Sequence, residues 1–185
     1  DLYFLDISNP SVPSIVNSIR VGLQPDDLAV DGGYAYVLGE EELRVVDVNS
    51  ASNPNLIDTL LLGSNTRNIV TANGYAYVSD YTDEEILIVD LVTPSNLSIT
   101  NTISLVDRPR EIAVANNYVF TTGLSGIFEI IDVSDLLNIN TEATLSVLSA
   151  GNSLNIAGSN AIVTGGAGFN VIPITPCDPN YLAVN

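Results

Sequence analysis

Two acidic stretches contain the residue types that could carry chemistry in this chain. Their carboxylates are those of Glu40, Glu41 and Glu42, and of Asp80, Asp83, Glu84 and Glu85. Clustered carboxylate oxygens can coordinate Ca²⁺, and a pair of carboxylates can act as acid and base on a glycosidic bond. Neither stretch has the ligand spacing of a DxDxDG calcium loop. The sequence therefore favours solvated hairpin tips, with a Ca²⁺ site at Glu40, Glu41, Asp80, Asp83, Glu84 and Glu85 as the alternative.

Missing residue types exclude much other chemistry. The 185 residues include no His and no Lys, so an imidazole base, a histidine metal ligand and a Schiff-base lysine are all absent. The net charge of −17, from 22 acidic residues against 5 arginines, repels nucleic acid and anionic lipid. Apolar runs are far shorter than the roughly 20 residues of a membrane helix. We predict no organic cofactor, no nucleic-acid partner and no membrane insertion.

Internal repetition determines which elements position these residues. One aspartate within an apolar tetrad recurs as Asp6, Asp47, Asp90 and Asp132, at intervals of 41, 43 and 42 residues. A second landmark, residues 33–37 (GYAYV), returns at 74–78 as GYAYV and at 117–121 as NYVFT. Each period contains four β-rich runs, which in the second period are 67–72, 75–80, 86–91 and 98–105. Four antiparallel strands per period are typical of a β-propeller blade, so we predict an all-β propeller.

The repeats also resemble a known family. Residues 110–120 (REIAVANNYVF), followed by residues 130–134 (IIDVS), are similar to the LVIVD-repeat propellers, relatives of the YVTN type. The resemblance extends to about residue 175. It implies a parent ring of seven or eight blades and an extracellular or cell-surface setting. It implies no reaction, because the family shares no catalytic motif.

The blade count predicts an incomplete ring at residues 1–175, followed by a non-repeat tail at 176–185. Two outer strands come first, then three full blades and three further strands, at 2–7 and 14–21, at 26–62, 67–105 and 110–148, and at 153–174. This order favours an arc of a larger ring, in a fragment of a longer precursor. A closed four-bladed ring, made by pairing 153–165 with 2–21, is the alternative, although it leaves the strand at 169–174 without a place. Cys177 is the single cysteine, so no internal disulfide is possible.

Propeller geometry predicts that half of the acids share one face. The loops that join the second to the third strand, and the fourth strand to the next blade, emerge together. They contain 11 of the 22 acidic residues: Asp26, Asp27, Glu40, Glu41, Glu42, Asp80, Asp83, Glu84, Glu85, Asp107 and Glu111. The four repeated aspartates lie before the opposite loops, where we predict that each accepts backbone N–H bonds in an Asx turn.

Arginines mark a possible binding site at the channel mouth. Arg67 and Arg110 occupy the same repeat position, and Asp26 is their equivalent in the preceding blade. The family resemblance implies that such an arginine points to the channel mouth, where it can bind carboxylate or phosphate. Alternatively each arginine bridges to an acid of a neighbouring blade, for instance Arg67 to Asp26 or Glu111. The predicted channel-mouth residues are thus Asp26, Arg67, Arg110 and Glu111.

Three functions are compatible with these features. The first is a non-catalytic extracellular or surface module that binds protein, glycan or a cation through its acidic loops. The second is a carboxylate-dependent polysaccharide hydrolase or lyase using Asp80, Asp83 or Glu85, which requires a carboxylate with a raised pKa. The third is a purely structural assembly domain, joined to copies of itself or to the rest of a longer chain.

Overall fold

The described part of the chain consists of five antiparallel β-sheets in chain order. A computed structural model describes residues 1–22, 24–63, 65–147, 151–166 and 168–174, and in these ranges it contains seventeen strands. The first sheet contains β1 (Leu2–Asp6) and β2 (Ser14–Ile19). The second contains β3 (Asp27–Asp31), β4 (Tyr34–Gly39), β5 (Glu42–Asp47) and β6 (Asn55–Leu61). No helix capable of crossing a bilayer occurs in the residues that the structure describes.

The remaining sheets repeat the same order. The third sheet contains β7 (Thr66–Ala72), β8 (Tyr75–Asp80), β9 (Glu85–Asp90) and β10 (Ser98–Ser104). The fourth contains β11 (Pro109–Ala115), β12 (Tyr118–Gly123), β13 (Ile127–Asp132) and β14 (Asn140–Ser146). The fifth contains β15 (Gly151–Ala157), β16 (Asn160–Gly165) and β17 (Gly168–Pro173). The predicted four-stranded blades are confirmed, as are two strands of the first sheet and three of the fifth, while the tail at 176–185, including Cys177, lies outside the described residues.

The sheets form an open arc. The first strands of successive blades, β3, β7, β11 and β15, lie side by side along its inner edge. The closed four-bladed ring is not formed, because β16 pairs with β15 on one side and β17 on the other, whereas β1 and β2 pair together. The surplus third strand of the fifth sheet therefore keeps its own place, and the fold is that of an arc of a larger ring.

Apolar side chains fill the space between neighbouring sheets. Leu43 and Val45 of the second sheet pack with Ile69 and Val89 of the third. The third and fourth sheets, and then the fourth and fifth, meet through equivalent clusters. Each blade thus buries its faces only against its neighbours, which is why single repeats would not fold alone.

Polar side chains join the sheets as well. In the fourth strand of the second sheet, Asp58 Oδ2 accepts a 2.9 Å hydrogen bond from the backbone N–H of Leu97 in the next sheet. At the equivalent bulge of β10, Asn101 Nδ2 donates to the Leu136 carbonyl oxygen. The next equivalent, Ala143, has no polar side-chain atom and cannot make such a bond.

The four repeated aspartates have the role predicted for them. Oδ1 of Asp6 accepts the Ser8 N–H at 2.8 Å, and Oδ1 of Asp47 accepts the Asn49 N–H at 3.0 Å. The same bond recurs at Asp90 and Asp132. The hydrogen bonds to Ser8 and Asn49 lower the pKa of Asp6 and Asp47 respectively. The repeated aspartates therefore terminate the third strands, as Asx turns do.

Candidate functional site

The two loop sets predicted to emerge together do so. The Leu62 N–H donates to the Glu41 carbonyl at 2.9 Å, and the Leu105 N–H donates to the Glu84 carbonyl at 2.8 Å. These bonds join the end of each fourth strand to the hairpin between the second and third strands of its own sheet. We call the surface formed by the hairpins 39–42, 80–85 and 123–127 and the linkers 24–27 and 105–109 the acidic face.

Several acidic side chains of this face accept hydrogen bonds from backbone N–H groups. Asp80 is only 1% exposed, and its Oδ1 accepts the N–H groups of Thr82 and Asp83 at 2.8 and 3.0 Å. Oδ2 of the buried Asp107 accepts the Ser125 N–H at 2.7 Å. Asp27 Oδ2 accepts the Ile69 N–H from the next sheet at 2.8 Å. These carboxylates hold loops and sheets together, so they contribute little to a ligand site.

Other acids of the face are open to solvent. Glu40, Glu41, Asp83 and Asp26 are exposed, whereas Glu84 pairs with Arg108 at 3.3 Å. Glu85 is partly buried, and this burial, followed by the charges of Asp80 and Asp83, raises its pKa.

These acids do not form a ready-made metal site. No group of three or more acidic or cysteine side chains in the described part of the chain is arranged to hold a metal ion. Ca²⁺ binding thus stays a prediction, which would require the hairpins to rearrange.

The Glu40-Glu41 hairpin is conformationally unusual. Gly39 pairs with Glu42, which leaves a two-residue turn whose φ angles are 51° at Glu40 and 68° at Glu41. Left-handed backbone of this kind favours Asn-Gly and disfavours glutamate. The turn therefore displays two adjacent carboxylates at a cost in stability.

Replacing this pair by Asn-Gly should stabilise the protein. We expect the double substitution E40N/E41G to raise the free energy of unfolding by about 1 kcal/mol, because the turn relaxes. Thermal and urea denaturation measure the change. The control E40Q/E41Q removes the same charges but keeps the disfavoured backbone. An equal gain in that control would show that charge repulsion, not backbone conformation, is responsible.

Arg67 has a partner that the sequence did not indicate. Its Cζ lies 4.1 Å from the centroid of the Tyr81 ring, and Arg108 Cζ lies 5.7 Å from the same ring. Among the ion pairs of the described residues, none joins Arg67 to Asp26 or Glu111. A cation–π contact therefore takes the place of the predicted bridge and directs Arg67 to the third-sheet hairpin.

The other predicted channel-mouth residues lie at the starts of the inner strands. Asp26 precedes β3 and is exposed, and Arg110 is an exposed residue of β11. Glu111, which follows it, is partly buried. Burial, and next the charge of Asp27, raise the pKa of Glu111. Of the four predicted channel-mouth residues, Glu111 is the only one that is partly buried.

A buried acid was missed in the sequence. Glu129 is 2% exposed and accepts the Val106 N–H at 3.2 Å, from the end of the preceding sheet. Burial is the largest cause that raises its pKa. Thr121 is its register partner on β12, and the Thr121 hydroxyl is buried without a hydrogen-bond partner in the described structure. The signal in the sequence was the position of this glutamate between two apolar residues of a strand, Phe128 and Ile130.

Comparison with known proteins places these features in a family. The profile described as LVIVD repeat matches residues 1–21, 24–61, 63–106 and 109–142, which together are most of the chain. No curated protein matches the sequence.

Solved structures resemble the arc at low sequence identity. A functionally unknown protein from Desulfotomaculum acetoxidans superposes with a TM-score of 0.76 at 14% identity, covering 86% of this chain and 54% of its own. The Cps50 (Swd1) β-propeller domain of Myceliophteria thermophila gives 0.73 at 12% identity, covering 94% and 63%. The computationally designed Ika4 protein gives 0.64 at 13% identity, covering 84% and 94%. The chain thus spans about half of the first of these proteins, and the likeness concerns the fold alone.

Proposed function

The chain belongs to the LVIVD-repeat family, and we propose that it is a non-catalytic interaction module whose acidic face binds a positively charged segment of another protein. The observation that carries this proposal is the exposure of Glu40, Glu41 and Asp83 on adjacent hairpins of one face. Such an array attracts cationic groups, speeds their association and selects against acidic partners. An extracellular or cell-surface setting is part of the proposal and rests on the family resemblance.

The turn at Glu40-Glu41 supports a binding role. A sequence under selection for stability alone would place Asn-Gly at this turn, as the third sheet does at Asn73-Gly74. Departures from the favoured turn residues often mark functional positions. Arg67 and Arg108, stacked on Tyr81, contribute positive charge beside these acids, and they limit the partners that can approach to those with a matching pattern.

The test uses a deca-arginine peptide as the probe, with affinity measured by calorimetry at low and moderate salt. We expect E40Q/D83N to weaken binding about three- to tenfold and to flatten the salt dependence. The matched control D31N/E142Q removes two exposed acids outside the acidic face and should leave the affinity within about twofold. Equal weakening by both variants would show that only the net charge matters and would contradict the proposal. A Ca²⁺ titration of the same proteins tests the cation alternative.

A polysaccharide hydrolase or lyase is the second candidate, favoured by one observation. The raised pKa of Glu85, beside Asp80 and Asp83, is the property that a general acid requires. In this proposal Glu85 donates a proton to the glycosidic oxygen and Asp83 acts as the base. Release of reducing ends from a polysaccharide panel, lost in Glu85→Gln, would support it. A panel without any release would reject it.

A further inference from the structure

A crevice lies between the third and fourth sheets, on the side opposite the acidic face. Its volume is about 520 Å³, within the range of small-ligand sites. The third sheet contributes the turn at Asn73 and side chains of β8 and β10, and the fourth contributes the turn at Asn117 and the loop 133–137. None of these residues belongs to the binding surface proposed above.

Comparison of equivalent positions in the repeats shows which residues of this crevice are common to the blades and which occur only here. At the second position of the turn after the first strand, the second and third sheets have Gly33 and Gly74, with φ of 84° and 81°. The fourth sheet has Asn117 there, with φ of 64°, although glycine suits this backbone best. Between the second and third sheets, the position equivalent to Asn73 is Gly32, and the position equivalent to Asn117 is Gly74. Two amides are therefore added at this crevice beyond what the fold requires.

The two amides are positioned by each other. Asn73 Nδ2 donates a 2.9 Å hydrogen bond to Asn117 Oδ1, which joins the two sheets across the crevice. This bond uses one of the donors of Asn73 and one acceptor site of Asn117. The Asn73 carbonyl oxygen and the Asn117 amino group thus retain capacity for a ligand.

The loop of the fourth sheet forms a fixed rim. Asp135 Oδ2 accepts Asn138 Nδ2 at 2.7 Å, and its Oδ1 accepts the Leu137 N–H at 2.9 Å. Asn101 Nδ2 donates to the Leu136 carbonyl oxygen and ties the same loop to the third sheet. The carboxylate of Asp135 is therefore occupied by the loop itself. Leu137, held beside it, is 91% exposed at the rim.

The walls select a neutral ligand with both apolar and hydroxyl-rich faces. No arginine lines the crevice, so a phosphate or carboxylate would lack a counter-charge there. Tyr75, which is partly buried, supplies aromatic surface next to the amides. An aromatic wall beside amide donors and acceptors suits the C–H face and the hydroxyl groups of a sugar ring.

We propose that the crevice between the third and fourth sheets is a binding site for a neutral saccharide, held by the Asn73 and Asn117 amides against Tyr75. Binding there is independent of the acidic face, because the ligand has no charge. It should accordingly be insensitive to salt, in contrast to the binding of a cationic protein segment.

The test follows the side-chain amide NMR signals during titration with a panel of neutral monosaccharides and disaccharides. We expect at least one saccharide to shift the Asn73 and Asn117 signals, with affinity unchanged by salt. Asn117→Gly restores the residue that the repeat uses elsewhere and should weaken binding at least about tenfold while the protein stays folded. The control Asn116→Gly changes the neighbouring position of the same turn, which does not line the crevice, and should retain affinity.

The following outcomes would contradict the proposed saccharide site. Absence of any shift over the whole panel would do so, as would equal losses in the two glycine variants. A third arm titrates an uncharged leucine-containing peptide, because Leu137 could instead contact a peptide side chain. Shifts caused by the peptide alone would replace the saccharide proposal. The variant E40Q/D83N, which is altered in the acidic face, should bind the saccharide as the wild type does. This result would show that the two sites act independently.

Discussion

Replacing Phe128 by alanine should cost about 3–5 kcal/mol of the free energy of unfolding. The Phe128 side chain is fully buried, and its ring stacks on Phe120 with centroids 6.2 Å apart. It belongs to the cluster that joins the fourth and fifth sheets, together with Leu154 and Val163. Alanine would leave a cavity at this junction that rigid strands on both sides cannot close.

The loss should appear first in the fifth sheet. That sheet has three described strands, and only its junction with the fourth contains the Phe128 cluster. Hydrogen exchange should therefore show faster opening of β15 and β16 before the rest of the arc unfolds, as expected for stacked repeats. The control Phe169→Ala removes an aromatic ring that is 68% exposed on β17, and it should change stability by less than about 0.5 kcal/mol. Similar losses in both variants would contradict this account of the junction.

Replacing Glu129 by glutamine should stabilise the protein at neutral pH by about 1–2 kcal/mol. At that pH the buried carboxyl must either carry a charge without a cation or bind a proton against the solution pH. Glutamine keeps an oxygen for the Val106 N–H and adds an amino group that can donate to the unpartnered Thr121 hydroxyl.

The gain should depend on pH in one direction. Burial raises the pKa of Glu129 above its ordinary value of 4.5, so the folded protein binds a proton that the unfolded chain has released. The contribution of Glu129 to the stability of the wild type therefore falls as the pH rises from the unfolded to the folded pKa, and then stays constant. The difference between E129Q and wild type should be small below pH 4.5, grow through that window and level off. Urea denaturation at a series of pH values measures it.

A double-substitution cycle checks the assumed partner. If Thr121 accepts the new amide, the gain from E129Q should shrink in a Thr121→Val background. The other carboxyl groups with a shifted pKa, Asp6, Asp47, Glu85, Glu111 and Asp135, are the same in all variants, so their contributions to the pH dependence cancel. A destabilised E129Q protein at pH 7, with no pH dependence, would refute the explanation.

Periodicity in the sequence was sufficient to predict the blades and their faces. The four β-rich runs and the recurring aspartate are local signals, and each full repeat supplies them again. Hydrogen bonding of Asp6, Asp47, Asp90 and Asp132 could be predicted for the same reason, since the Asx turn needs only residues two positions away.

The roles of individual acids could not be predicted in this way. Asp80 and Asp83 are both acidic residues of one hairpin, yet one is buried among backbone N–H groups and the other is exposed. Contacts between sheets, such as that of Arg67 with Tyr81, depend on side-chain rotamers and on how neighbouring blades stack. A single sequence gives neither the rotamers nor the stacking of the blades. The sequence therefore predicts which acids share one face. Only the three-dimensional structure shows which of these carboxylates are buried in hydrogen bonds and which are exposed.

The open arc also affects how the chain can fold during synthesis. Side-chain hydrogen bonds between neighbouring sheets, such as those of Asp58 with Leu97 and of Asn73 with Asn117, join residues 39 and 44 positions apart. At about 5–20 residues per second, a ribosome completes one repeat in roughly 2–8 s. Each blade can therefore dock on its predecessor as it emerges, without waiting for the other end of the polypeptide.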